Sequence, residues 1–315
     1  MRFGVGLWTM QATAAGPAST TALYRELLDD ARLVESLGYE SMWLAEHRFW
    51  YDGWCPAPLI AMAATASATT RLRFGTAMML LPQHDPQRFA ALVGVVDRLS
   101  ERRLDVGVGL GHRDAEFDGL GLRRRDRGRR MDRAVGALAE SGPPIWIGGM
   151  APAALQRSFV HGLNYLLPQT LYVHELRDTV ASIHAAAAHA GRRPGRIGLL
   201  KDAWIGDDGP ATRDWFLPRL RDHYCEEAGA WWILKGVATG FEEPDLLERQ
   251  LDRITDTALV GSPDEVAAGV AELEAAGVEL VVLRFAFDVT RDSGVREVIA
   301  RFASDVMPRF GGLEP

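Results

Sequence analysis

Short apolar runs alternate with longer helical patterns from one end of the chain to the other, and this rhythm restricts the fold more than any single motif does. Eight runs read as strands, at 3–8, 40–44, 72–79, 104–109, 145–148, 164–167, 197–205 and 280–285. Helical patterns follow them at 20–37, 58–68, 86–100, 129–139, 152–161, 173–190, 263–276 and 296–306. Strands joined through a helix are expected to lie parallel, since parallel neighbours need a crossover connection. Eight such units predict an α/β fold, a (β/α)8 TIM barrel. With 315 residues, 47% of them hydrophobic, the chain can bury one such core, so a single domain over 1–315 is expected. One stretch, 207–257 after the seventh strand, breaks the rhythm and reads as an inserted helical segment over the barrel mouth. Its Trp215, Trp231 and Trp232 either line a pocket there or pack the inserted helices.

Charge and cysteine usage narrow the partners. A formal net charge of −7 repels polyanions, so neither nucleic acid nor an anionic membrane is an expected partner, and a small molecule is. The basic run Arg123 to Arg130, with Asp126 inside it, reads as a solvated helix start. Cys55 and Cys225 stand far apart without neighbouring ligands, which indicates neither a disulfide scaffold nor a metal site and fits the cytoplasm. The chain opens directly into a strand pattern with no secretion signal, and its longest apolar run, 57–68, is too short and too rich in alanine to span a bilayer.

In such a barrel the reactive groups stand at the C-terminal ends of the strands. The second strand ends in Ala45-Glu46-His47-Arg48-Phe49, which puts an acid and an imidazole at the mouth. His47 suits proton transfer near neutral pH, and a carboxylate beside it can fix its tautomer; a hydrogen-bonded structural histidine is the alternative. The third ends in Gly75-Thr76-Ala77-Met78-Met79, small enough to admit a flat aromatic ring. The fourth ends in Gly107-Val108-Gly109-Leu110-Gly111-His112-Arg113, whose backbone N–H groups can meet a phosphate. The fifth ends in Gly148-Gly149-Met150-Ala151-Pro152, two glycines leading into a helix opened by proline, an anion site by construction. The first strand ends in Gly6-Leu7-Trp8, without the His-x-His pair a barrel metallohydrolase needs, so no metal is expected.

With Leu81-Pro82-Gln83-His84-Asp85-Pro86, Asp97-Arg98-Leu99-Ser100 and Val260-Gly261-Ser262-Pro263-Asp264-Glu265-Val266, these blocks make the chain resemble the luciferase-like flavin monooxygenases over nearly its whole length. The resemblance implies reduced FMN, or alternatively the deazaflavin coenzyme, lying across the barrel mouth. It implies His47, with Glu46 beside it, as acid/base on the oxygenated flavin or its substrate adduct. Thr76 and Ala77 would lie under the flavin ring, joined by a cis or strained peptide. Gly109, Leu110, Gly111 and His112, and Gly148, Gly149, Met150 and Ala151, would meet the ribityl chain and phosphate. A flavin reductase would supply the cofactor, O2 and a small organic molecule would be the substrates, and a homodimer would form through the alanine-rich helix at 58–68. Three departures stand out. Arg48 replaces a second histidine, Leu110 stands where some relatives place a phosphate-binding arginine, and Met150-Ala151 stand where many place serines. FMN is therefore expected to bind weakly, with Arg113 or Arg157 as the nearest replacement charge. The connection before the fifth strand is also short, 139–143, which would open the pocket on that side. Two other functions compete: deazaflavin-dependent hydride transfer on the same barrel, and a flavin-binding or scaffold barrel without catalysis.

Overall fold

The computed structural model describes residues 1–11, 17–50, 53–235, 244–285 and 294–311. Its strands, numbered in chain order, are β1 (Arg2–Trp8), β2 (Ser41–Leu44), β3 (Arg73–Thr76), β4 (Met79–Leu80), β5 (Leu104–Gly109), β6 (Ile145–Gly148), β7 (Asn164–Leu167), β8 (Ile197–Ile205), β9 (Leu259–Gly261) and β10 (Leu280–Arg284). Eight of them close a parallel ring in the order β1-β2-β3-β5-β6-β7-β8-β10, because β10 pairs with both β8 and β1. The eight-unit rhythm of the sequence is thus a (β/α)8 barrel. The two additional strands are extensions: β4 continues along β5, and β9 pairs with the last three residues of β8.

The helices are α1 (Pro17–Ser36), α2 (Pro58–Ser67), α3 (Pro86–Leu99), α4 (Asp114–Gly119), α5 (Arg127–Ala139), α6 (Pro152–His161), α7 (Val173–His189), α8 (Gly209–Lys235), α9 (Pro244–Thr257), α10 (Pro263–Ala275) and α11 (Val295–Asp305). Two of the motif blocks are helix starts. Asp85 caps α3 by accepting the Arg88 N–H at 2.9 Å, with Pro86 at the first helical position. Ser262 and Glu265 form a reciprocal capping box on α10. No described helix is long and apolar enough to cross a membrane.

Inside the ring two indoles meet edge to face, Trp43 from β2 and Trp146 from β6, with centroids 5.8 Å apart. Each N–H is satisfied, Trp43 by Ser41 at 2.8 Å and Trp146 by Asp105 at 2.9 Å. Burying such rings needs bare backbone on the adjacent strand. A Cβ at Gly75 would come within 2.3 Å of the Trp43 ring, so the flat ring that Gly75 admits is the protein's own.

Two cis peptides occur among the described residues, Gly6–Leu7 and Ala77–Met78. The bond expected to be cis, Thr76–Ala77, is not one of them. Thr76 still belongs to the ladder, paired with Leu44 and donating its hydroxyl to the Gly107 carbonyl at 2.7 Å, and the Ala77 N–H reaches the Leu44 carbonyl at 2.8 Å. The chain leaves the sheet only after Ala77.

α8 and α9 make up the helical excursion after β8. Trp215 takes the packing role, 5.3 Å from the Trp204 ring, and Trp204 in turn stacks on Phe216 at 4.9 Å. The side chains of Trp231 and Trp232 lie outside the described residues.

Candidate active site

A cavity of about 770 Å³ opens at the C-terminal rim of the barrel, the end where strand-terminal side chains converge. Eleven of the thirteen residues singled out in the sequence line it: Glu46, His47, Ala77, Gly109, Leu110, Gly111, His112, Gly148, Gly149, Met150 and Ala151. The roof comes from the excursion, through Tyr224 of α8 and Leu247, Gln250, Leu251 and Ile254 of α9. Leu7, at the irregular end of β1, and Arg284, the last residue of β10, complete the rim.

The other two sequence candidates are placed elsewhere. Thr76 points into the sheet through its bond to Gly107. Arg113, proposed to face a phosphate, is fully buried. Its guanidinium lies 4.1 Å from the Trp50 ring centre, donates to the Arg48 carbonyl at 3.1 Å and pairs with Glu116 at 3.4 Å. Fixed between a ring and a carboxylate, it stands behind the residues that line the cavity.

His47 is where the fold concentrates its chemistry. Its Nδ1 lies 2.8 Å from Glu116 Oε1, its ring meets Trp54 edge-on with centroids 4.4 Å apart, and it is nearly buried. The carboxylate that orients the imidazole is therefore Glu116 on α4, and not the adjacent Glu46. Glu46 turns to Arg48, to His84 at 3.1 Å and to the Leu80 N–H at 2.6 Å. Arg48 also donates to Gln83 at 2.8 Å. The arginine that stands in place of a second histidine thus pairs with Glu46, which itself lines the cavity.

Glu116 is not among the site residues that the sequence points to. It is 69 residues from His47 and sits on a six-residue helix without a strong pattern. Burial pushes its carboxyl up, yet the His47 bond, the Arg48 N–H at 2.9 Å and the Arg113 charge together hold it below the ordinary carboxylate value. It is consequently an anion beside the imidazole, the arrangement that fixes a histidine tautomer and favours the imidazolium as it forms. With Nδ1 engaged, proton exchange with a bound molecule would run through Nε2.

The loop after β5 lies beside His47, its His112 ring 6.2 Å from the His47 ring, and the loop after β6 brings glycine backbone to the other end of the cavity. Gly149 takes φ +118°, a conformation that a side chain would strain, and Ala151, at the N-cap of α6, offers no side-chain cap. Arg127 and Arg157 border this end. Arg157 is held by Asp132 at 2.7 Å, whereas Arg127 only approaches the Arg124 carbonyl at 3.4 Å.

Below the rim, Lys201 of β8 is buried, donating to the Gln169 carbonyl at 2.8 Å. Burial pushes its ammonium down to about 8, against the opposing pull of Asp202. The folded chain then binds fewer protons than the unfolded chain between that value and the ordinary 10.5, so stability rises as pH climbs through this window. Relative to Lys201→Met, the wild type is expected to gain about 2 kcal/mol between pH of about 7 and about 10. Urea unfolding of both proteins at the two pH values checks this, and a constant difference would refute it.

The model of the family described as luciferase-like monooxygenase matches residues 1–140 and 133–280. A 4-hydroxyprotoasukamycin monooxygenase of Streptomyces nodosus subsp. asukaensis is 30% identical over 352 aligned positions, covering 99% of this chain and 93% of that protein. An uncharacterised Sinorhizobium fredii protein, y4vJ, is 29% identical over 61% of this chain, which spans 63% of its length. Among solved structures, the oxygenating constituent of 3,6-diketocamphane monooxygenase from the CAM plasmid of Pseudomonas putida, in complex with FMN, superposes with a TM-score of 0.74 at 16% identity over all of both chains. An F420-dependent secondary alcohol dehydrogenase with an F420-acetone adduct superposes with 0.71 at 14% identity over 98% of each. A family match that spans most of the barrel, a relative covered nearly end to end and a rim built from the matching blocks lead to one conclusion: the chain belongs to the luciferase-like monooxygenase family.

Proposed function

We propose that this protein is a flavin-dependent monooxygenase that takes reduced FMN from a separate reductase and uses O2 to oxidise a small organic molecule. The observation that carries this reading is one continuous cavity joining the His47–Glu116 pair to the glycine loops after β5 and β6. Those loops suit a flavin: Gly109, Gly111, Gly148 and Gly149 leave backbone facing the space, and a Cβ at Gly148 would collide with Met78 at 2.5 Å. Ala77 and Met78 would hold the ring, and Gly149 to Ala154 the phosphate end. Reduced flavin supplies the oxygen activation. His47 holds or delivers a proton at Nε2, Glu116 keeps the ring in register, and α8 and α9 exclude water from above. The named FMN complex and the monooxygenase relative support this over hydride transfer from a deazaflavin, which the F420-dependent neighbour keeps as a second reading. Anaerobic titration with each reduced cofactor separates the two: saturable spectral change with FMN supports the first, and change with the deazaflavin alone supports the second.

Phosphate recognition makes a further prediction. With Arg113 committed to Glu116, Arg157 is the remaining sequence candidate near the phosphate end, and it already has Asp132. FMN is expected to exceed riboflavin in affinity by about tenfold to a hundredfold at most, the contribution of one charge-assisted bond, and Arg157→Ala to remove most of that margin. Calorimetry with both flavins decides, and a margin unaffected by Arg157→Ala would exclude this arginine.

A homodimer is also proposed, through α2 and α3. Ala61 and Ala66 of α2 are buried on the barrel, but Ile60 is 73% exposed, and Leu92, Val95 and Leu99 of α3, the helix packed against α2, are each at least half exposed. Such an apolar stripe favours a second copy. Ile60→Glu is expected to shift light-scattering mass from dimer to monomer at micromolar concentration; monomeric wild type would refute the proposal.

A further inference from the structure

Diametrically across the barrel from Ala77 and Gly109, the ends of β8 and β10 carry a second polar group that the proposed oxygen chemistry does not use. Asp202 and Arg284 are register partners on these adjacent strands, and Tyr224 descends onto them from α8. The Tyr224 hydroxyl accepts from Arg284 Nη1 at 2.6 Å and from Gln169 Nε2 at 3.1 Å, which leaves its proton for the Asp202 carboxylate at 3.0 Å. Arg284 also meets His223 Nε2 at 2.7 Å, and its guanidinium carbon lies 4.9 Å from the Tyr224 ring centre. Arg284, Tyr224 and Gln169 line the cavity, whereas Asp202 is buried behind them, its side chain 2% exposed. This wall therefore brings to the cavity a phenol and a guanidinium that is itself mostly buried, its side chain 11% exposed and paired with Asp202 at 3.9 Å. Around it the lining is apolar, with Leu7, Leu166 and Leu200.

A cation held at the edge of an apolar cavity attracts an anionic oxygen more strongly than it would in water, and it selects against neutral isosteres. We propose that Arg284, positioned by Tyr224, anchors the substrate by an ionised acidic oxygen, so that the substrate class is a small organic acid, carboxylic or phenolic, with an apolar body. This role as a substrate seat rests on the flavin reading above, since the flavin would occupy the opposite wall and leave the substrate between the two. The ring order of the barrel supports this division: β8 and β10 stand opposite β3 and β5.

The test is binding of 2-naphthoate, 2-naphthol and the neutral 2-naphthamide to the full chain by calorimetry, with an FMN titration of the same preparations. Naphthoate is expected to bind at least about tenfold more tightly than naphthamide, and naphthol, whose hydroxyl ordinarily ionises at about pH 10, to match it only with proton release on binding, which would identify a phenolate. Arg284→Gln is expected to erase that preference and Tyr224→Phe to reduce it several-fold, with FMN affinity unchanged in both. Equal binding of all three probes by wild type, failure of all three to bind, or a preference that survives Tyr224→Phe intact would overturn the proposal. Should Arg284→Gln not fold, Tyr224→Phe decides, since it removes one oxygen atom and leaves the ring. Loss of stability in both variants with discrimination intact would show that the cluster only ties α8 to the barrel. FMN binding without acid preference would reject the anchor alone, and absence of flavin binding would reject the flavin reading itself.

Discussion

His47→Ala is expected to slow substrate oxidation by about 10²–10⁴-fold, the usual contribution of a positioned acid or base, with FMN affinity nearly intact. The imidazole is held at 2.8 Å by Glu116 and walled by Trp50 and Trp54, so its orientation is set before anything binds. Removing it leaves a gap between two indoles, which costs about 1–3 kcal/mol of stability and does not unfold the protein. Steady-state turnover of wild type and variant with reduced FMN, O2 and an established organic substrate makes the comparison. Unchanged turnover would reduce His47 to a structural residue.

Glu116→Ala should cost stability as well as turnover. The carboxylate is fully buried and shared by His47, the Arg48 N–H, Gln83 and Arg113, itself fully buried. Taking it away removes the carboxylate that pairs with buried Arg113, and breaking a buried pair costs about 3–5 kcal/mol. Glu116→Gln is milder, because an amide still meets part of the cluster. It also gives a pH signature. The Glu116 carboxyl is held below its ordinary value of 4.5, so the stability it contributes is present above that value and is lost as pH falls through the folded one. The wild type should exceed Glu116→Gln in urea midpoint near neutrality, and the gap should close in acid. A gap independent of pH would mean that Glu116 acts by packing and not by charge.

The barrel was legible because its strands are buried on both faces and bounded by glycine and proline, so each appears as an apolar run of strand length; even the cap of α3 is written in Asp85-Pro86. The glycine loops were legible for a similar reason, since bare backbone at a strand end is visible in sequence. Pairing between distant side chains was not. Glu46 and Glu116 are equally plausible partners for His47 on paper, and only the fold shows Arg48 and His84 holding one while α4 delivers the other. Arg284 and Tyr224 were silent because each looks ordinary at a strand end or on a helix until β8, β10 and α8 meet. The cis bond was misplaced by one residue because the hydrogen bond that keeps Ala77 in the ladder belongs to β2.

The central claim, that the rim cavity is a flavin site, is tested most directly by a crystal structure of the protein with FMN. The isoalloxazine is expected against Ala77 and Met78 within reach of His47, with the phosphate beside Gly149 to Ala154, on the walls that line the cavity. FMN bound elsewhere on the molecule, or no bound FMN at concentrations that saturate it in solution, would contradict the account.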